Sequence, residues 1–175
     1  MKFFVSLLTG LMCVANGAVS AQATTEGVNA EVLGVYFAPS VNVASSIVKA
    51  IDASEQEVLV QAYGFTHNAI AQALVRAHQR GVTVRVLLDK KSQSGNRYVI
   101  DVFADADIEV REDGKHAIAH NKVMVIDQSI VITGSFNFTN SAATRNAENF
   151  LVLKSADLAE KYRAQWQSHW AHGVE

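Results

Sequence analysis

Two residue types are almost missing from this chain of 175 residues: Cys13 is its one cysteine and Pro39 its one proline. A single thiol excludes an intrachain disulfide and any multi-cysteine zinc site. One proline beside ten glycines excludes a proline-rich linker architecture. An excess of positive charge is lacking as well. Fifteen basic residues against 17 acidic ones give a net charge of −2, which excludes a basic nucleic-acid coat. With 49% apolar and 18% charged residues, the chain is not of a disordered, collagen-like or coiled-coil type. Its length fits one domain with a short appendage, since two full domains need roughly three hundred residues.

The appendage is N-terminal. Lys2 is followed by a mostly apolar run, Phe3 to Ala15, too short for a comfortable membrane span. Small residues come next, and both Val19-Ser20-Ala21 and Ala21-Gln22-Ala23 fit a small-x-small cleavage pattern. The pattern predicts a cleaved secretory signal peptide over residues 1–23 and a folded domain over 24–175. Gly10 stands where a lipoprotein signal needs a bulky aliphatic residue, so no lipid anchor is expected. Cleavage removes Cys13 and leaves a chain without thiols, suited to an oxidising compartment such as the periplasm.

The remainder alternates strand and helix. Strands are expected over 31–37, 57–65, 82–89 and 108–111, and helices over 41–53, 67–80 and 98–104. Gly81 reads as the residue ending the second helix. Residues 90–96 read as a polar loop. Two β-rich runs, 122–126 and 130–133, are joined by Asp127-Gln128-Ser129 as a hairpin. A strand over 149–153 and a helix over 156–170 close the chain. The early βα units imply parallel strands and the hairpin an antiparallel portion. The expected fold is therefore an α/β class, an α-β-α sandwich on a mixed, mostly parallel sheet. No internal repeat is visible.

The residues suited to chemistry cluster between positions 120 and 149. His120 and Lys122 are two apart at the start of an apolar strand, so both point to one side of the sheet. Ser135 and Asn137 have the same spacing after the next strand. Imidazole, ammonium, hydroxyl and amide together supply the charge and donors that bind a phosphate. Glu148 opens the following strand, and it or Asp127 could hold the second nitrogen of an imidazole. An aspartate between two strands is usually a turn residue, and that is the main role expected of Asp127. A metal is the rival chemistry. His116 and His120 are four apart, but no acid lies between them and the run after His120 reads as strand. No metal or other cofactor is expected. His169 and His172 read as surface residues.

These residues carry a resemblance. His120-x-Lys122-x4-Asp127, followed by Gly134-Ser135-x-Asn137 and by Glu148-Asn149, resembles the signature of the phospholipase D superfamily, without departures. The size, leader and single motif resemble the small bacterial endonucleases of that superfamily, the Nuc type. The resemblance implies metal-independent phosphodiester cleavage in two steps. His120 would be the nucleophile and form a phosphohistidine. Lys122 and Asn137 would hold the phosphoryl oxygens with Ser135 in support, and Glu148 would orient an active-site histidine. Asp127 belongs to the implied catalytic set, although its position points to a structural role.

Larger superfamily members carry the motif twice and need both copies. One copy implies a homodimer with the site on its two-fold axis, where His120 serves as nucleophile in one subunit and general acid in the other. DNA, and RNA with it, is the expected substrate. Six basic residues between 76 and 98 (Arg76, Arg80, Arg85, Lys90, Lys91, Arg97) face one acid, Asp89, and the 90–97 loop could track a phosphate backbone. Nothing resembles a base-reading module, so cleavage should tolerate any sequence. The alternatives are a phospholipase D or phosphatidyl transferase acting on phospholipids, and a non-catalytic phosphate-binding module. No amphipathic membrane helix supports the former, and the intact polar set argues against the latter.

Overall fold

The structure, a computed structural model, describes residues 27–40 and 42–174. The leader over 1–23, with Cys13 and its cleavage sites, lies outside the described residues. Among the described residues, seven strands form one sheet: β1 (Glu31–Ala38), β2 (Glu57–Ala62), β3 (Thr83–Asp89), β4 (Glu109–Asp113), β5 (Lys122–Ile126), β6 (Ile130–Gly134) and β7 (Glu148–Lys154). Their spatial order is β1-β7-β6-β5-β2-β3-β4. The helices among the described residues are α1 (Val43–Asp52), α2 (Asn68–Gln79), α3 (Gln93–Ala104), α4 (Asn140–Thr144) and α5 (Ala156–Trp170).

The period-two pattern of each strand divides the sheet's faces between two cores. Val58, Val60 and Ala62 of β2 join Met124 and Ile126 of β5 in the larger core, under Ile47, Ile51, Ile70, Leu74, Val99 and Phe103 from α1, α2 and α3. Leu59, Leu87, Val123, Val125 and Val131 face the other way, onto Ala159 and Trp166 of α5, with Leu158 and Tyr162 alongside. The α/β sandwich is as expected. The balance of pairings is not. Only β2-β3 and β3-β4 are parallel, while β1-β7, β2-β5, β5-β6 and β6-β7 are antiparallel. The first βα unit does not place β1 beside β2, because β1 pairs with β7 at the far edge. Even so, β1, β2, β3, β4 and β6 all run in one direction, and only β5 and β7 run against it.

Residues 90–96 are a second departure. A 3-10 turn, Lys90–Ser92, leads directly into α3. Asp89 caps it, accepting from the Ser92 amide at 2.9 Å. Asn96, which is buried, accepts from the Phe65 amide at 2.8 Å and donates to the Tyr63 carbonyl at 3.0 Å. A polar residue satisfied by core backbone turns a stretch that looks like loop into the first turns of a helix. The sequence reading also missed α4, a short helix whose Thr139 hydroxyl accepts from the Ala142 amide.

The β5–β6 hairpin closes through Ser129 N–H to the Ile126 carbonyl at 3.1 Å, with φ of 49° at Asp127 and 52° at Gln128. Aspartate tolerates that left-handed backbone better than most side chains. Its carboxylate also does something no turn requires. Oδ1 accepts from the amides of Gln56 (2.8 Å) and Glu57 (3.0 Å), and Oδ2 from that of Glu55 (3.0 Å). The hairpin is thereby tied to the chain entering β2. Asp127→Ala should lower the stability of the fold by roughly 1–3 kcal/mol, the usual cost of stranding amides that a charged acceptor held. Urea unfolding of the variant beside the wild type measures it.

Candidate functional site

The common direction of five strands gives the sheet a carboxyl edge, where open α/β sheets meet their ligands. The ends of β2, β3 and β6 and the starts of β5 and β7 all lie there. So do Lys122 (start of β5), Ser135 and Asn137 (after β6), and Glu148 (start of β7). His120 arrives just before β5 on a segment pinned at both sides. The Ala119 amide donates to Oδ1 of the buried Asp89 at 2.7 Å, and the Asn121 carbonyl accepts from the Tyr63 amide at 2.9 Å.

The His120 ring is exposed and packs edge-on against Tyr63, with ring centroids 4.7 Å apart. Lys122 is only 7% exposed. Its Nζ donates to the His120 carbonyl at 2.8 Å and lies 5.3 Å from the centre of the Tyr63 ring. Burial pushes its ammonium below the ordinary lysine value, and the Glu148 carboxylate partly offsets this. His120 and Lys122 thus share Tyr63 as a neighbour, although His120 lies just outside the strand that Lys122 opens.

Ser135 Oγ donates to Glu148 Oε2 at 2.6 Å and accepts from the Asn149 amide at 3.1 Å. Asn146 donates to the other carboxylate oxygen at 3.1 Å. Glu148 is therefore held by Ser135 and Asn146 rather than by the His120 ring of its own chain. Asn137 lies beside Gly64, the residue after Tyr63. Its Oδ1 is 3.6 Å from where a Cβ on Gly64 would stand, and it is buried without a hydrogen-bond partner among the described residues. Gly134 is required by a close approach of backbones: a Cβ there would meet the Asn149 carbonyl at 2.3 Å and Phe150 Cα at 2.6 Å. The Gly-Ser pair therefore lets β6 reach β7 closely enough for Ser135 to bond Glu148.

Asp127 is not in this group. It ends β5 where Lys122 begins it, about 17 Å away for five residues of extended strand. It lies at the opposite edge of the sheet, bonded to the backbone before β2. The geometry supports the turn role and gives no contact through which a catalytic one could act.

Three positioning residues escaped the sequence reading: Tyr63, Asn96 and Asp89. Asp89 closing an apolar strand was the one visible signal, since an acid at the carboxyl end of a core strand needs donors. The basic stretch also changes character. Arg76 pairs with Asp52, Arg80 approaches it, Arg85 pairs with Glu109, and Arg97 with Asp101. Lys90 and Lys91 sit at the carboxyl end of β3, on the same edge as His120. The histidines at 169 and 172 are also not simple surface residues. They gather with His116 around Asp113, so His116 stands with them and not with His120 in a metal pair.

An α/β sandwich that gathers an imidazole, a buried ammonium, a hydroxyl and an amide at its carboxyl edge has groups of the kind that can bind a phosphate. Known proteins supply the family. The family described as "Cardiolipin synthase, PLD-like domain" matches residues 47–170. A phospholipase D of Rickettsia prowazekii is 42% identical over 132 residues, which cover 75% of this chain and 64% of the relative. A mitochondrial cardiolipin hydrolase of Mus musculus is 29% identical over 126 residues, 72% of this chain and 57% of the relative. The crystal structure of Nuc from Salmonella typhimurium, a phospholipase D family member, matches with a TM-score of 0.80 at 34% identity, covering 83% of this chain and 97% of Nuc. NucT from Helicobacter pylori matches at 0.71 and 24% identity over 81% of this chain and 96% of its own, a likeness of fold alone. The chain belongs to the phospholipase D superfamily, a family of phosphodiesterase-type enzymes. It spans 64% of the length of the Rickettsia prowazekii relative. Among the described residues, no helix is long and apolar enough to cross a membrane.

The buried ammonium sets a stability cost that can be measured. Because the folded state holds the Lys122 proton less tightly than the unfolded chain, stability should rise with pH between the lowered value and about 10.5. Lys122→Met should remove that rise and raise the urea midpoint at neutral pH, since a charge in a dry site gives way to an apolar isostere. A lower midpoint would show that what the ammonium gains from the His120 carbonyl, Tyr63 and Glu148 outweighs the cost of its burial.

Proposed function

We propose that this protein is a metal-independent, sequence-tolerant endonuclease that hydrolyses phosphodiester bonds of DNA, and of RNA with it, as a homodimer. The observation that carries this reading is the half-built group at the carboxyl edge. His120 is exposed beside a fixed ammonium, while Glu148 of the same chain is engaged elsewhere. A single histidine can attack phosphorus but cannot also protonate the leaving oxygen. A second copy of the chain, related by a two-fold axis, supplies the missing imidazole.

In the first step a neutral His120 nitrogen attacks phosphorus. The N–P bond forms as the P–O bond breaks, and the partner's His120, protonated, gives its proton to the departing oxygen. In the second step that imidazole takes a proton from water, whose oxygen displaces His120 from phosphorus. Lys122 and Asn137, supported by Ser135, hold the non-bridging oxygens as charge builds on them. Apolar side chains exposed beside the group fit a second copy. Phe37 is 69% exposed and pairs in register with Asn149, next to Glu148, and Ile118 is 54% exposed two residues before His120. Export through the leader over 1–23 belongs to the same proposal.

The phospholipid reading has its own support in the 42%-identical relative named phospholipase D. The nuclease reading is favoured because this chain covers 97% of Nuc but only 64% of that relative. Release of headgroup from phosphatidylcholine vesicles separates the two.

Plasmid DNA incubated with purified protein in excess EDTA should be cut, and His120→Ala prepared identically should be at least ~10³-fold slower. Cutting only after a divalent ion is restored, or wild-type turnover by the variant, overturns the histidine mechanism. Sedimentation should give the mass of a dimer. The rate should follow a bell-shaped pH profile, because the paired imidazoles need one neutral and one protonated member.

A further inference from the structure

On the same sheet edge as the His120 group but beyond β3, α5 and the tail after it bring histidines against the segment that follows β4. Asp113, the last residue of β4, has a fully buried side chain. Its Oδ1 accepts from the amides of Lys115 (3.0 Å) and His116 (3.2 Å), which fix the carboxylate's orientation. Oδ2 lies 2.8 Å from His116 Nδ1, and Oδ1 lies 3.4 Å from His172 Nε2. His172 Nε2 is buried and, among the described residues, has no hydrogen-bond partner. The tail that carries it is held in place, since Val174 exchanges two backbone hydrogen bonds with Glu112, at 2.7 and 3.0 Å. His169 packs on His116 with ring centroids 4.6 Å apart, but its Nδ1 faces Gln61 Nε2 and its Nε2 faces Gln165 Nε2.

We propose that Asp113, His116 and His172 form a binding site for a divalent transition metal ion, with Zn2+ the ion that fits. One ligand atom from each residue lies within 4.8 Å of the other two. Tetrahedral zinc with bonds of about 2.0–2.1 Å places its ligand atoms roughly 3.4 Å apart, so side-chain adjustments of about an ångström complete the set. Two imidazoles and one carboxylate suit zinc, whereas calcium and magnesium prefer oxygen alone. The two amides on Asp113 form the outer support such a ligand normally has. His169, engaged by two glutamines, walls the site, and a water would complete the four ligands.

The ion would join three parts of the chain: the end of β4, the segment running toward His120, and the tail after α5. Its effect on the fold is thus to fasten the route by which His120 reaches the carboxyl edge. The site shares no residue with the His120 group and does not depend on the chemistry assigned there.

The test is calorimetric titration of Zn2+ alone into the metal-stripped full-length chain. One equivalent should bind saturably with a dissociation constant in the micromolar range or tighter, and the thermal midpoint should rise as the ion fills the folded state. Because Asp113 also holds two amides, His116→Ala and His172→Ala carry the test. Each should weaken binding at least ~10-fold and lose the thermal shift, while His78→Ala and His120→Ala bind as the wild type does. Nitrogen-edited NMR of the intact wild type provides a reading that needs no variant: the ring signals of His116 and His172 should shift with one equivalent of Zn2+. The proposal fails if the wild type shows no saturable binding. It also fails if either ligand variant keeps full affinity, if only His120→Ala loses it, or if the ring signals do not move.

Discussion

Lys122 keeps an ammonium in a place where water cannot fully hydrate it, and much of the surrounding structure serves that one charge. Its nearest acceptor is the backbone carbonyl of His120, with the face of Tyr63 beside it and the carboxylate of Glu148 within electrostatic reach. A dry positive charge is a poor contributor to folding but a strong anchor for an anion, because low dielectric strengthens every interaction it makes. The carbonyl bond also ties the lysine to the histidine through backbone rather than through side chains. The imidazole stays exposed and unencumbered while its main chain is fixed.

Anchors of the same kind recur around the sheet, each a polar side chain satisfied by backbone. Asp89 receives the amide before His120, and Asn96 braces Tyr63 and Phe65 after β2. Asp127 binds three amides at the other end of β2. Each acts at a strand end, where the ladder stops and backbone donors would otherwise go unpaired. Together they hold β2, the strand between the parallel and antiparallel halves, at both ends. They explain how a small sheet presents irregular segments at its carboxyl edge without leaving them loose.

The motif falls into two parts at opposite ends of β5. Its first residues, His120 and Lys122, stand at the carboxyl edge, whereas its last, Asp127, stands a strand's length away and organises the hairpin. The spacing within a motif can therefore record a strand crossing the sheet as well as a set of groups meeting at one point. Gly134 belongs with the architectural part, since its missing side chain lets Ser135 reach Glu148.

The elements with a strong period were legible in the sequence. The alternation in β2 and β5, the stripe of Ile70, Leu74 and Ala77 in α2, and the extent of α5 needed only local patterns. The sequence spacing also brought His120 and Lys122 together, although His120 stands just before β5 and meets Lys122 through Tyr63 and its own carbonyl. Other features depended on partners remote in sequence. β1 reads as a strand, but nothing in it says that its partner is β7 rather than β2. Residues 90–96 look like loop until Asn96 meets the backbone of residues 63 and 65. His169 and His172 read as surface groups, and His116 as a rival partner of His120, until the sheet and α5 bring all three together beside Asp113. Local periodicity is set by bonded geometry and is therefore carried by the sequence itself. Strand order, and the meeting of side chains fifty or more residues apart, is decided only when burial of both sheet faces selects one arrangement of the whole chain.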